Sequence, residues 1–543
     1  MFDYIEKQIV LRLEQLGWPT DGVQLSRPKK AENGDCATNI AMALARTLKR
    51  APIQIANELM TGMEFDPGIV EKYEIVNPGF INFFQTADYL TAQLQNILET
   101  RSEFGKNQSG SGQTAQVEFV SANPTGPLTV GHGRQTVLGD TLANILTWSG
   151  YDVTREYYFN NAGRQMRLLG ESLKARYLEL KGEALVLPDG GYEGKYLIEV
   201  ARTLLDEQAD LSGDSDVEIF KNFAEKSIFG IIKSSLERIG VVHDVFFNER
   251  SLYETGKIDE VLATLDEKGL LYKKDGATWF KTTELGTEQD RVLVKSSGEP
   301  TYRLPDIAYH REKIARGFDL VVDVFGADHI DAYPDVLSAL KVMNLKHEHI
   351  KVVIHQFVTL LRSGEVVKMS TRKANFVTLD ELIDEVGADV VRYFYIMRSA
   401  SSHLNFDLDL AKRQTEENPV FYLQYAHARI SSIFRRAKER DLETGSSDAD
   451  LSLLSEEFTV ALINETLGFP EVIDHCRRSL EIHHLPTYLF GLATALHKFY
   501  TEYKVIDLEN VELSRARLAL LEAVQITLKN GLNILGINAP DEM

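Results

Sequence analysis

Cysteine is scarce in this sequence, with two residues, Cys36 and Cys476, among 543. Two thiols so far apart in the chain provide neither a disulfide framework nor a four-ligand zinc site. We expect both to be reduced and buried, which is typical of a cytoplasmic protein. The sequence therefore predicts a cytoplasmic location and no dedicated metal site.

Long apolar runs are missing as well. No stretch approaches the ~18 consecutive apolar residues that a membrane-spanning helix needs. Residues 1–16 carry acidic side chains at an amphipathic helical spacing, whereas a secretory signal has a basic flank and an apolar block. We therefore expect neither a membrane span nor a membrane partner.

Basic residues are outnumbered, since 59 Lys and Arg face 80 Asp and Glu, for a net charge of −21. Net charge governs solubility and steering, whereas nucleic-acid binding depends on where basic residues cluster. In residues 411–440 the balance reverses to seven Lys or Arg against three Glu. A solvated helix face and an RNA contact explain such a run equally well, so the charge excludes neither.

The length of 543 residues indicates three or four domains. Residues 1–106 alternate helical patterns with the strand-like block Gly79–Phe84, which predicts an α+β N-terminal domain. The Gly- and Ser-rich segment Asn107–Thr114 predicts a linker. Residues 411–543 are dominated by helical patterns, which predicts an all-α C-terminal helical bundle.

The pattern of strands and helices in residues 115–410 predicts an α/β domain with a Rossmann-type parallel sheet. The strand-like run Val117–Val120 precedes a loop, a helix and a second strand at Tyr151–Phe159, which is the order of a βαβ unit. The buried stripe of that helix comprises Leu138, Leu142, Ile145 and Leu146. Residues 160–250 are helical and charged, which predicts an insertion. Further strand-like runs are Arg291–Lys295, Leu320–Phe325 and Lys351–Gln356.

The loop between the first strand and its helix is where an α/β sheet commonly binds a nucleotide. Here that loop is Ala122–His132, with the sequence ANPTGPLTVGH. Gly131 permits a close approach to the backbone, and His132 can donate a hydrogen bond to a phosphate oxygen at the helix N-terminus. By itself, however, a Gly-His pair is more often an ordinary helix cap.

A second, basic loop spans Lys368–Lys373. Adenylation of a carboxylate needs cations that neutralise the charge developing on pyrophosphate, and this loop could supply them. Taken with ANPTGPLTVGH, the sequence KMSTR resembles the two signatures of class I aminoacyl-tRNA synthetases, commonly written HIGH and KMSKS. This resemblance assigns catalytic roles to Thr129, His132, Lys368, Ser370 and Arg372.

The chain departs from these signatures at two positions, because Thr129 replaces the first histidine and Thr371 the second lysine. In some arginine-family members without that lysine, a compensating lysine occupies the position of Gly126, and it is missing here too. We expect Arg372 to supply the charge, because its guanidinium can bind two phosphate oxygens. Lys373 and a cation from elsewhere are the alternatives.

Nearly the whole chain resembles arginyl-tRNA synthetases. The resemblance is carried by VEFVSANPTG, GYDVTREYYFNNAGRQ, TYRLPDIAYH, KMSTRKANFVTLDEL, YLQYAHARI and NGLNILGINAPDEM. It implies that residues 115–410 are the catalytic domain and that the block TREYYFNNAG borders the pocket. It also implies ATP binding by Ala122, Asn123, Pro124, Thr125, Gly126, Pro127, Leu128, Val130, Gly131 and Met369.

An arginine substrate presents a guanidinium with five donors, which carboxylates and an aromatic ring satisfy best. Tyr302 and Asp306 are four residues apart at a helix start and are expected to point the same way. The resemblance assigns arginine binding to Glu118, Asn123, Glu249, Tyr302, Asp306 and His329. Within this set, Asn123 and Glu118 hold the amino-acid end, and many relatives have Gln at the position of His329.

Two further regions resemble the tRNA-facing parts of the family. The N-terminal domain resembles the additional domain placed against the outer corner of tRNA. Unpaired bases are recognised by aromatic stacking and side-chain amides, although a core position is the alternative for Phe80. The implied tRNA contacts are Asn77, Phe80 and Asn82 for a D-loop base, and Tyr422, Tyr425, Arg429 and Met543 near the anticodon.

The resemblance implies an enzyme that makes arginyl-AMP from arginine and ATP and transfers arginine to tRNA(Arg). It implies Mg²⁺ with the ATP, and we expect a monomer. A cysteine or glutamate synthetase is disfavoured, since a cysteine–histidine zinc set is missing and the candidate pocket is acidic. A tRNA-binding protein that has lost catalysis is the other alternative, favoured by Thr129, Thr371 and Gly126.

Overall fold

The computed structural model describes residues 1–28, 30–367, 376–442 and 449–543. The N-terminal region folds around an antiparallel sheet with the strand order β1-β2-β4-β3. Its helix α1 forms because Ile5, Ile9 and Leu13 recur every four residues and are fully buried. The elements are α1 (Phe2–Leu16), β1 (Leu25–Ser26), β2 (Cys36–Thr38), α2 (Ile40–Leu48), α3 (Pro52–Met60), β3 (Val70–Val76), β4 (Phe80–Gln85) and α4 (Ala87–Thr100).

The predicted N-terminal domain ends differently from the core that the structure shows. The apolar face of α4, with Leu94 and Ile97, belongs to the large core shared with the centre and the C-terminal end of the chain. Asn530 of the last helix donates hydrogen bonds of 2.9 and 3.1 Å to the carbonyl oxygens of Arg101 and Phe104. The separate N-terminal core therefore ends with β4, before the predicted limit at residue 106.

The central region is built on a five-stranded, all-parallel sheet with the strand order β12-β11-β5-β6-β7. Its first half comprises β5 (Thr114–Glu118), α5 (Val130–Trp148), β6 (Asp152–Phe159), α6 (Gly163–Leu180), α7 (Tyr196–Glu207), α8 (Val217–Arg238) and β7 (Val245–Asn248). The predicted βαβ unit is thereby confirmed. The charged segment predicted as an insertion is the helical crossover from β6 to β7.

The second half of the central region completes this sheet and adds two smaller ones. It comprises α9 (Arg250–Glu254), α10 (Lys257–Glu267), β8 (Leu271–Lys274), β9 (Ala277–Phe280), β10 (Arg291–Val294), α11 (Arg303–Arg316), β11 (Leu320–Gly326), α12 (Tyr333–Val342), β12 (Ile350–His355), β13 (Val358–Arg362), β14 (Glu365–Val366), α13 (Leu379–Val386), α14 (Ala388–Ile396), β15 (Leu404–Asp407) and α15 (Leu408–Ala411). The predicted strand at Arg291–Lys295 is β10, which belongs to an antiparallel sheet, β10-β9-β8. The third sheet has the order β14-β13-β15.

Strand β5 is the point where the chain direction across the parallel sheet reverses. The chain passes from β5 to β6 and β7 on one side, and β11 and β12 lie on the other side. Ligands of open parallel sheets bind at the carboxyl edge beside such a point. Helix α5 starts there, which places the predicted nucleotide loop in the expected position.

Beyond β15 the described elements are helical. They are α16 (Pro419–Lys438), α17 (Glu457–Leu467), α18 (Phe469–Ser479), α19 (His484–Glu502) and α20 (Val511–Leu535). Pro419 at the first turn and Asn418, whose side chain accepts from the Val420 N–H at 3.1 Å, begin α16. The predicted α/β class with a helical C-terminal bundle is confirmed. No helix in the described residues is long and apolar enough to span a membrane.

Polar contacts connect the three regions. Arg392 is buried, pairs with Asp140 on α5 at 2.6 Å, and donates to the carbonyl oxygens of Leu535 and Ile239 at 2.6 and 2.9 Å. Arg392 thereby connects α5, which packs on the parallel sheet, to the last helix. Loss of either Arg392 or Asp140 would leave the other charge buried and unpaired, so this connection stabilises the fold. Asn464 of α17 similarly bridges Asp35 and Gln85 of the N-terminal region.

Candidate active site

The loop after β5 leaves the sheet through an unusual backbone turn. Val120 and Ser121 have φ values of 71° and 44°, in the left-handed region that non-glycine residues avoid. Such a conformation costs about 1–3 kcal/mol per residue and often marks a functional site. The predicted strand Val117–Val120 is therefore wrong at its end, because the extended backbone stops at Glu118.

Neighbouring side chains hold the loop in place over the carboxyl edge of the sheet. Tyr157 donates to the Ala122 carbonyl oxygen at 2.7 Å, and Tyr196 donates to that of Thr125 at 2.6 Å. The Asn160 N–H donates to Oδ1 of Asn123 at 3.1 Å. The predicted ATP-binding loop is thus shaped by strand β6 and helix α7.

His132 lies in the first turn of α5 and has a defined tautomer. The Thr129 N–H donates to Nδ1 of His132 at 3.1 Å, so the ring proton is carried by Nε2. Burial lowers the pKa of His132, and the charge of Asp328 opposes this effect only partly. At neutral pH His132 is therefore an uncharged donor, while the predicted catalytic Thr129 acts here as the helix cap.

Two glycines of the loop differ in what surrounds them. A side-chain carbon at Gly131 would meet only the Thr129 hydroxyl, at 3.6 Å, so the protein leaves this position open. A side-chain carbon at Gly126 would lie 3.2 Å from the Tyr196 hydroxyl, which is a tight approach. The position of the missing compensating lysine is thus filled by the phenol that supports Thr125.

The segment after the predicted basic loop is bonded to the start of α5. The Leu379 N–H donates to the Leu128 carbonyl oxygen at 2.8 Å, and the Val130 N–H donates to that of Val377 at 3.3 Å. The structure therefore brings the chain directly after the second signature to the first one. Lys368, Met369, Ser370, Thr371, Arg372 and Lys373 themselves lie outside the described residues.

Glu249 follows β7 and is only 5% exposed. Its Oε2 accepts from the Tyr158 hydroxyl at 2.7 Å, and its Oε1 accepts from Asn160 Nδ2 at 2.8 Å and from the Tyr253 hydroxyl at 3.1 Å. Burial raises the pKa of Glu249, against the opposing effect of these hydrogen bonds. All its described partners are neutral, so its charge is available to a cationic ligand.

Asp306 lies in the first turn of α11, close to the same carboxylate. Burial raises the pKa of Asp306 to about 6; the charges of Glu118 and Glu249 add to this rise, and His310 and His329 oppose it. Within the described residues, neither Asp306 nor Glu249 forms an ion pair with Lys or Arg. A buried acid and a half-buried acid without a basic partner in the described residues form a site for a positively charged group.

Glu118 is placed differently from the other predicted arginine ligands. It is 3% exposed, its Oε2 is bound by Lys313 Nζ, and its Oε1 accepts from the Ser121 hydroxyl at 2.8 Å. Lys313 also binds Asp323. Burial disfavours the charged form of Lys313, but the charges of Asp323 and Glu118 outweigh this effect and raise the pKa of Lys313. The Glu118 charge is therefore already compensated, and its visible role is to fix Ser121 in the strained turn.

The remaining predicted arginine ligands lie at the rim. The Tyr302 side chain is 75% exposed, and its described link to Asp306 is a backbone hydrogen bond of 3.2 Å. The His329 ring stacks on Phe325 with centroids 5.0 Å apart, in the turn after β11. Asn123 lies between Asn160 and Gln165, whose Oε1 accepts from its Nδ2 at 3.2 Å.

Further residues of the site, which no sequence motif indicates individually, are Tyr158, Asn160, Tyr253, Lys313 and His355. Tyr158 and Asn160 belong to the block TREYYFNNAG, which was predicted to border the pocket. His355 ends β12, where a carboxyl-edge rule could have found it, and burial lowers its pKa to about 4. Lys313 is 195 residues from Glu118 in the sequence, so no local pattern predicts that the two side chains form an ion pair.

The predicted tRNA contacts of the N-terminal region differ in how exposed their side chains are. Asn77 and Phe80 lie at the turn between β3 and β4, and Phe80 is 40% exposed, so the alternative of a core position is wrong. Asn82 is 5% exposed and lies within β4 opposite Ala37. A ligand at this turn would therefore meet Asn77 and Phe80 first.

Three of the four predicted anticodon residues, Tyr422, Tyr425 and Arg429, line one groove between α16 and α19. The guanidinium of Arg429 lies 4.2 Å from the centre of the Tyr500 ring and 5.6 Å from that of Tyr425. Tyr422 packs against Phe490, with ring centroids 5.1 Å apart. Rings with a cation between them provide stacking surfaces for unpaired bases.

Met543 is 57% exposed and lies apart from that groove. The residues before it pack on another face of α16, where Ser431 donates to Oδ1 of Asp541 at 2.9 Å. The Pro540 carbonyl oxygen lies 2.9 Å from Nδ1 of His427. The end of the chain is thereby anchored to the same helix that carries Arg429.

Family models match the chain in three consecutive parts. Residues 3–85 match the arginyl tRNA synthetase N terminal domain, residues 93–394 the catalytic domain of tRNA synthetases class I (R), and residues 423–543 the DALR anticodon binding domain. Together with the parallel sheet and the loop at the start of α5, these matches make the chain a class I aminoacyl-tRNA synthetase.

Similar proteins specify the class further. The arginine–tRNA ligase of Salinibacter ruber is 49% identical over 564 aligned positions that cover 100% of both chains. That of Desulfotalea psychrophila is 51% identical, covering 95% of this chain and 94% of the other. A putative arginyl-tRNA synthetase structure from Campylobacter jejuni matches with a TM-score of 0.78 and 30% identity, covering 84% of this chain and 100% of the other. The chain belongs to the arginine–tRNA ligase family.

The fold is also that of a more distant structure. The arginyl-tRNA synthetase of Thermus thermophilus matches with a TM-score of 0.80 over 99% of both chains, at 22% identity. The N-terminal domain, the Rossmann-type sheet and the helical bundle are therefore shared in full. The alternatives of a cysteine or glutamate synthetase are wrong.

Proposed function

We propose that Glu249 and Asp306 bind the guanidinium of arginine while the loop at the start of α5 binds ATP. The enzyme is an arginine–tRNA ligase, which charges tRNA with arginine at the expense of ATP. The observation that carries the assignment of the pocket is a pair of carboxylates, Glu249 buried and Asp306 half-buried, without a basic partner in the described residues. A guanidinium between them would offer both charge and a planar set of donors.

The hydrogen bonds around Glu249 support a cationic ligand of fixed orientation. Tyr158, Asn160 and Tyr253 occupy three acceptor positions of the carboxylate and so set the plane of its oxygens. They add no positive charge, which the substrate must then provide. Tyr302 at the rim and His329 in the turn after β11 are proposed to contact the bound amino acid, and Asn123 to meet its amino-acid end.

The first step consists of one bond formed and one bond broken. A carboxylate oxygen of arginine attacks the α-phosphorus of ATP, and the bond from that phosphorus to the oxygen bridging the β-phosphorus breaks. Pyrophosphate leaves with its electron pair, and arginyl-adenylate remains. We assign to Nε2–H of His132 a hydrogen bond to the phosphate oxygens, which strengthens as negative charge develops.

The second step consumes the adenylate. A terminal hydroxyl of the tRNA 3′ end attacks the carbonyl carbon, the carbon–oxygen bond to phosphate breaks, and AMP leaves. The proton of the hydroxyl passes to the phosphate oxygen or to water. This step needs the tRNA end at the carboxyl edge of the sheet, where Asn123 and Asn160 lie.

The cations for pyrophosphate are assigned from sequence alone. Lys368, Ser370 and Arg372, with Lys373 as the alternative, remain predictions outside the described residues. Mg²⁺ is proposed to arrive with ATP and to be held mainly by phosphate oxygens and water. Asp328 offers a carboxylate with 70% side-chain exposure in the turn after β11, a donor type that fits this ion.

The outer domains are proposed to read tRNA away from the reaction. Asn77 and Phe80 are assigned to a base of the tRNA corner, with Asn82 behind them, and Met543 to the anticodon side. The groove with Tyr422, Tyr425 and Arg429 is assigned to anticodon bases. We divide the chain into residues 1–85, 115–410 and 411–543, with α4 as the connection. A cytoplasmic monomer is proposed, and light scattering of the purified enzyme tests the oligomeric state.

The decisive experiment is ATP–pyrophosphate exchange with each of the twenty amino acids, with and without tRNA. Arginine alone should support exchange, and tRNA(Arg) should then be charged. Glu249→Gln should lose arginine use while ATP binding persists, because only the charge of the pocket changes. Exchange with another amino acid would reject the pocket assignment. No exchange in the presence of all substrates would favour the catalytically impaired alternative.

A further inference from the structure

We propose that His475, Glu481 and His484 form a zinc-binding site at the junction of α18 and α19. The ligand atoms of the three side chains all lie within 4.8 Å of one another. A single ion can therefore bind all three after small side-chain rotations. The site lies in the C-terminal bundle and is independent of the proposed arginine and ATP sites.

The backbone fixes this juxtaposition. Helix α18 ends at Ser479, and Leu480 turns the chain with φ 60° and ψ 15°, in the left-handed region. The Glu481 N–H donates to the Ser479 hydroxyl at 3.2 Å, which secures the turn. Helix α19 then starts at His484, and its first residue lies beside His475, one turn before the end of α18.

Buried apolar residues within and directly after this short connection anchor it. Ile482 is 4% exposed and Leu485 is fully buried, so the segment from Glu481 to His484 is held against the bundle core. On α18 the residue after His475 is the fully buried Cys476, whose Sγ lies 4.0 Å from the Ile482 carbonyl oxygen. The thiol thus packs inward while the ligands face outward.

The geometry of the three side chains suits one ion. The rings of His475 and His484 have centroids 4.6 Å apart and planes at 79°. Nε2 of His484 lies 3.4 Å from Oε2 of Glu481. Edge-to-face rings can direct nitrogen lone pairs to a common point, with the carboxylate oxygen as the third ligand.

The chemistry of the donors selects the class of metal. Imidazole nitrogens suit Zn²⁺, Cu²⁺ and Ni²⁺, whereas Mg²⁺ and Ca²⁺ prefer oxygen ligands. Two histidines and one carboxylate complete three positions of a tetrahedral zinc site and leave the fourth to water. The Mg²⁺ that accompanies ATP should therefore not compete for this site.

A zinc ion at this position would join two helices of the bundle. It would tie the C-terminal half of α18 to the first turn of α19, the helix that carries Tyr500 of the aromatic groove. Because the ion binds the folded chain through residues that are nine positions apart, it stabilises that state by mass action. The unfolded chain offers the same ligands without this arrangement.

The test uses the full-length enzyme after removal of metal by a chelator, without ATP. Zinc sulfate is titrated by calorimetry, and bound zinc is counted after gel filtration. The ligand variant is His475→Gln/His484→Gln. The matched control is His347→Gln/His349→Gln, which removes two histidines that flank Glu348 but whose ligand atoms form no such group in the described structure.

We expect one zinc per chain in the unchanged enzyme and in the control. The ligand variant should bind zinc at least about tenfold more weakly. Even the loss of a residue that only hydrogen-bonds to a metal ligand typically lowers metal affinity by that factor. Zinc should raise the melting temperature of the unchanged enzyme and the control but not of the ligand variant. Cobalt(II) should show visible absorption bands that disappear in the ligand variant.

Two outcomes would overturn the proposal. One is that the unchanged enzyme binds no zinc, and the other is that the ligand variant and the control lose zinc to the same extent. If the ligand variant fails to fold, Glu481→Gln provides the same comparison with nearly unchanged side-chain size. Its arginylation rate without zinc should equal that of the unchanged enzyme, while its zinc affinity falls.

Discussion

The hydroxyl of Tyr158 donates a 2.7 Å hydrogen bond to Oε2 of Glu249. Tyr158 lies near the end of β6 and Glu249 directly follows the neighbouring parallel strand β7, so the sheet sets the distance between them. A neutral donor at this place orients the carboxylate and leaves its charge uncompensated. This pair distinguishes the pocket from the nearby Glu118, whose charge is bound by Lys313.

Replacing Tyr158 by Phe should weaken arginine binding selectively. A hydrogen bond to a buried charged acceptor contributes about 1.5–3 kcal/mol, so the KM for arginine should rise roughly tenfold or more. The KM for ATP should change little, because the phenol lies on the Glu249 side of the cleft. Steady-state arginylation with each substrate varied in turn measures both values.

Tyr272→Phe is the matched control for this substitution. Its hydroxyl also donates to a carboxylate, that of Asp290 at 3.0 Å, but in the separate antiparallel sheet. Both kinetic constants should stay at the values of the unchanged enzyme. An equal rise in the KM for arginine in both variants would mean that loss of a phenol, and not of the Glu249 contact, is responsible.

Arginine binding should depend on pH through Asp306. Burial raises the pKa of this carboxyl to about 6, with Glu118 and Glu249 adding to the rise and His310 and His329 opposing it. Below that pH the group is protonated and cannot pair with a guanidinium, so affinity for arginine should fall by about tenfold per pH unit. Calorimetric titration between pH 5 and 8 gives the profile. A flat profile would show that Asp306 does not face the substrate.

The substitution Asp306→Asn should weaken arginine binding and raise the free energy of unfolding at neutral pH. The raised pKa means that ionised Asp306 destabilises the fold, and this penalty develops as pH rises from the ordinary value of 3.8 to about 6. At pH 7 the variant should unfold with a free energy about 1–3 kcal/mol higher, whereas below pH 4 it should match the unchanged enzyme. Urea unfolding at both pH values measures this difference. Loss of stability at pH 7 would contradict the idea of an uncompensated charge.

His132 can be tested with two substitutions that separate its two nitrogens. His132→Asn keeps an acceptor near Nδ1 for the Thr129 N–H but removes the donor at Nε2, so adenylate formation should slow by about 10²–10³. His132→Gln restores a donor near Nε2 and should be less impaired. Pyrophosphate exchange measures the rates, and filter binding of tRNA should be unchanged. A larger loss in His132→Gln than in His132→Asn would point to the helix cap instead, because only Asn keeps the acceptor for the Thr129 N–H.

Local patterns were sufficient to predict the framework of the site. Leu138, Leu142, Ile145 and Leu146 are all buried, as the stripe on α5 indicated, and Gly131 lies in the first turn of that helix as expected. Such features depend on residues close in sequence and on helical or strand periodicity. The order of strand, loop, helix and strand then predicted that β5 and β6 are parallel neighbours. The nucleotide site is consequently expected at the carboxyl edge of these strands.

The electrostatic state of each acid could not be predicted in the same way. Glu118 and Glu249 are both carboxylates beside strands, yet Lys313 neutralises Glu118, whereas in the described part of the chain only uncharged side chains contact Glu249. These partners come from helices and strands that are far apart in the chain. The strained turn at Val120 was equally hidden, because its sequence favours an extended strand.

The last prediction concerns the groove of the C-terminal bundle. Arg429 lies 4.2 Å from the Tyr500 ring, and its Nη1 donates to the Tyr425 hydroxyl at 2.5 Å. Arg429→Lys keeps the positive charge but loses the planar group that stacks between the rings. The KM for tRNA should rise several-fold to tenfold, as one stacking contact of about 1 kcal/mol is lost. Arginine binding by calorimetry should be unchanged, because the groove lies in another domain.

Arg515→Lys provides the control for Arg429→Lys, because it makes the same exchange on α20 at an exposed pair with Glu512 at 3.3 Å. If charge alone attracts tRNA, both variants should bind as the unchanged enzyme does, and the salt dependence of binding should be the same in all three. If the stacked guanidinium is what a base recognises, only Arg429→Lys loses affinity, and the loss should persist at high salt, where charge attraction is screened. A loss that vanishes in salt would instead assign Arg429 to a phosphate.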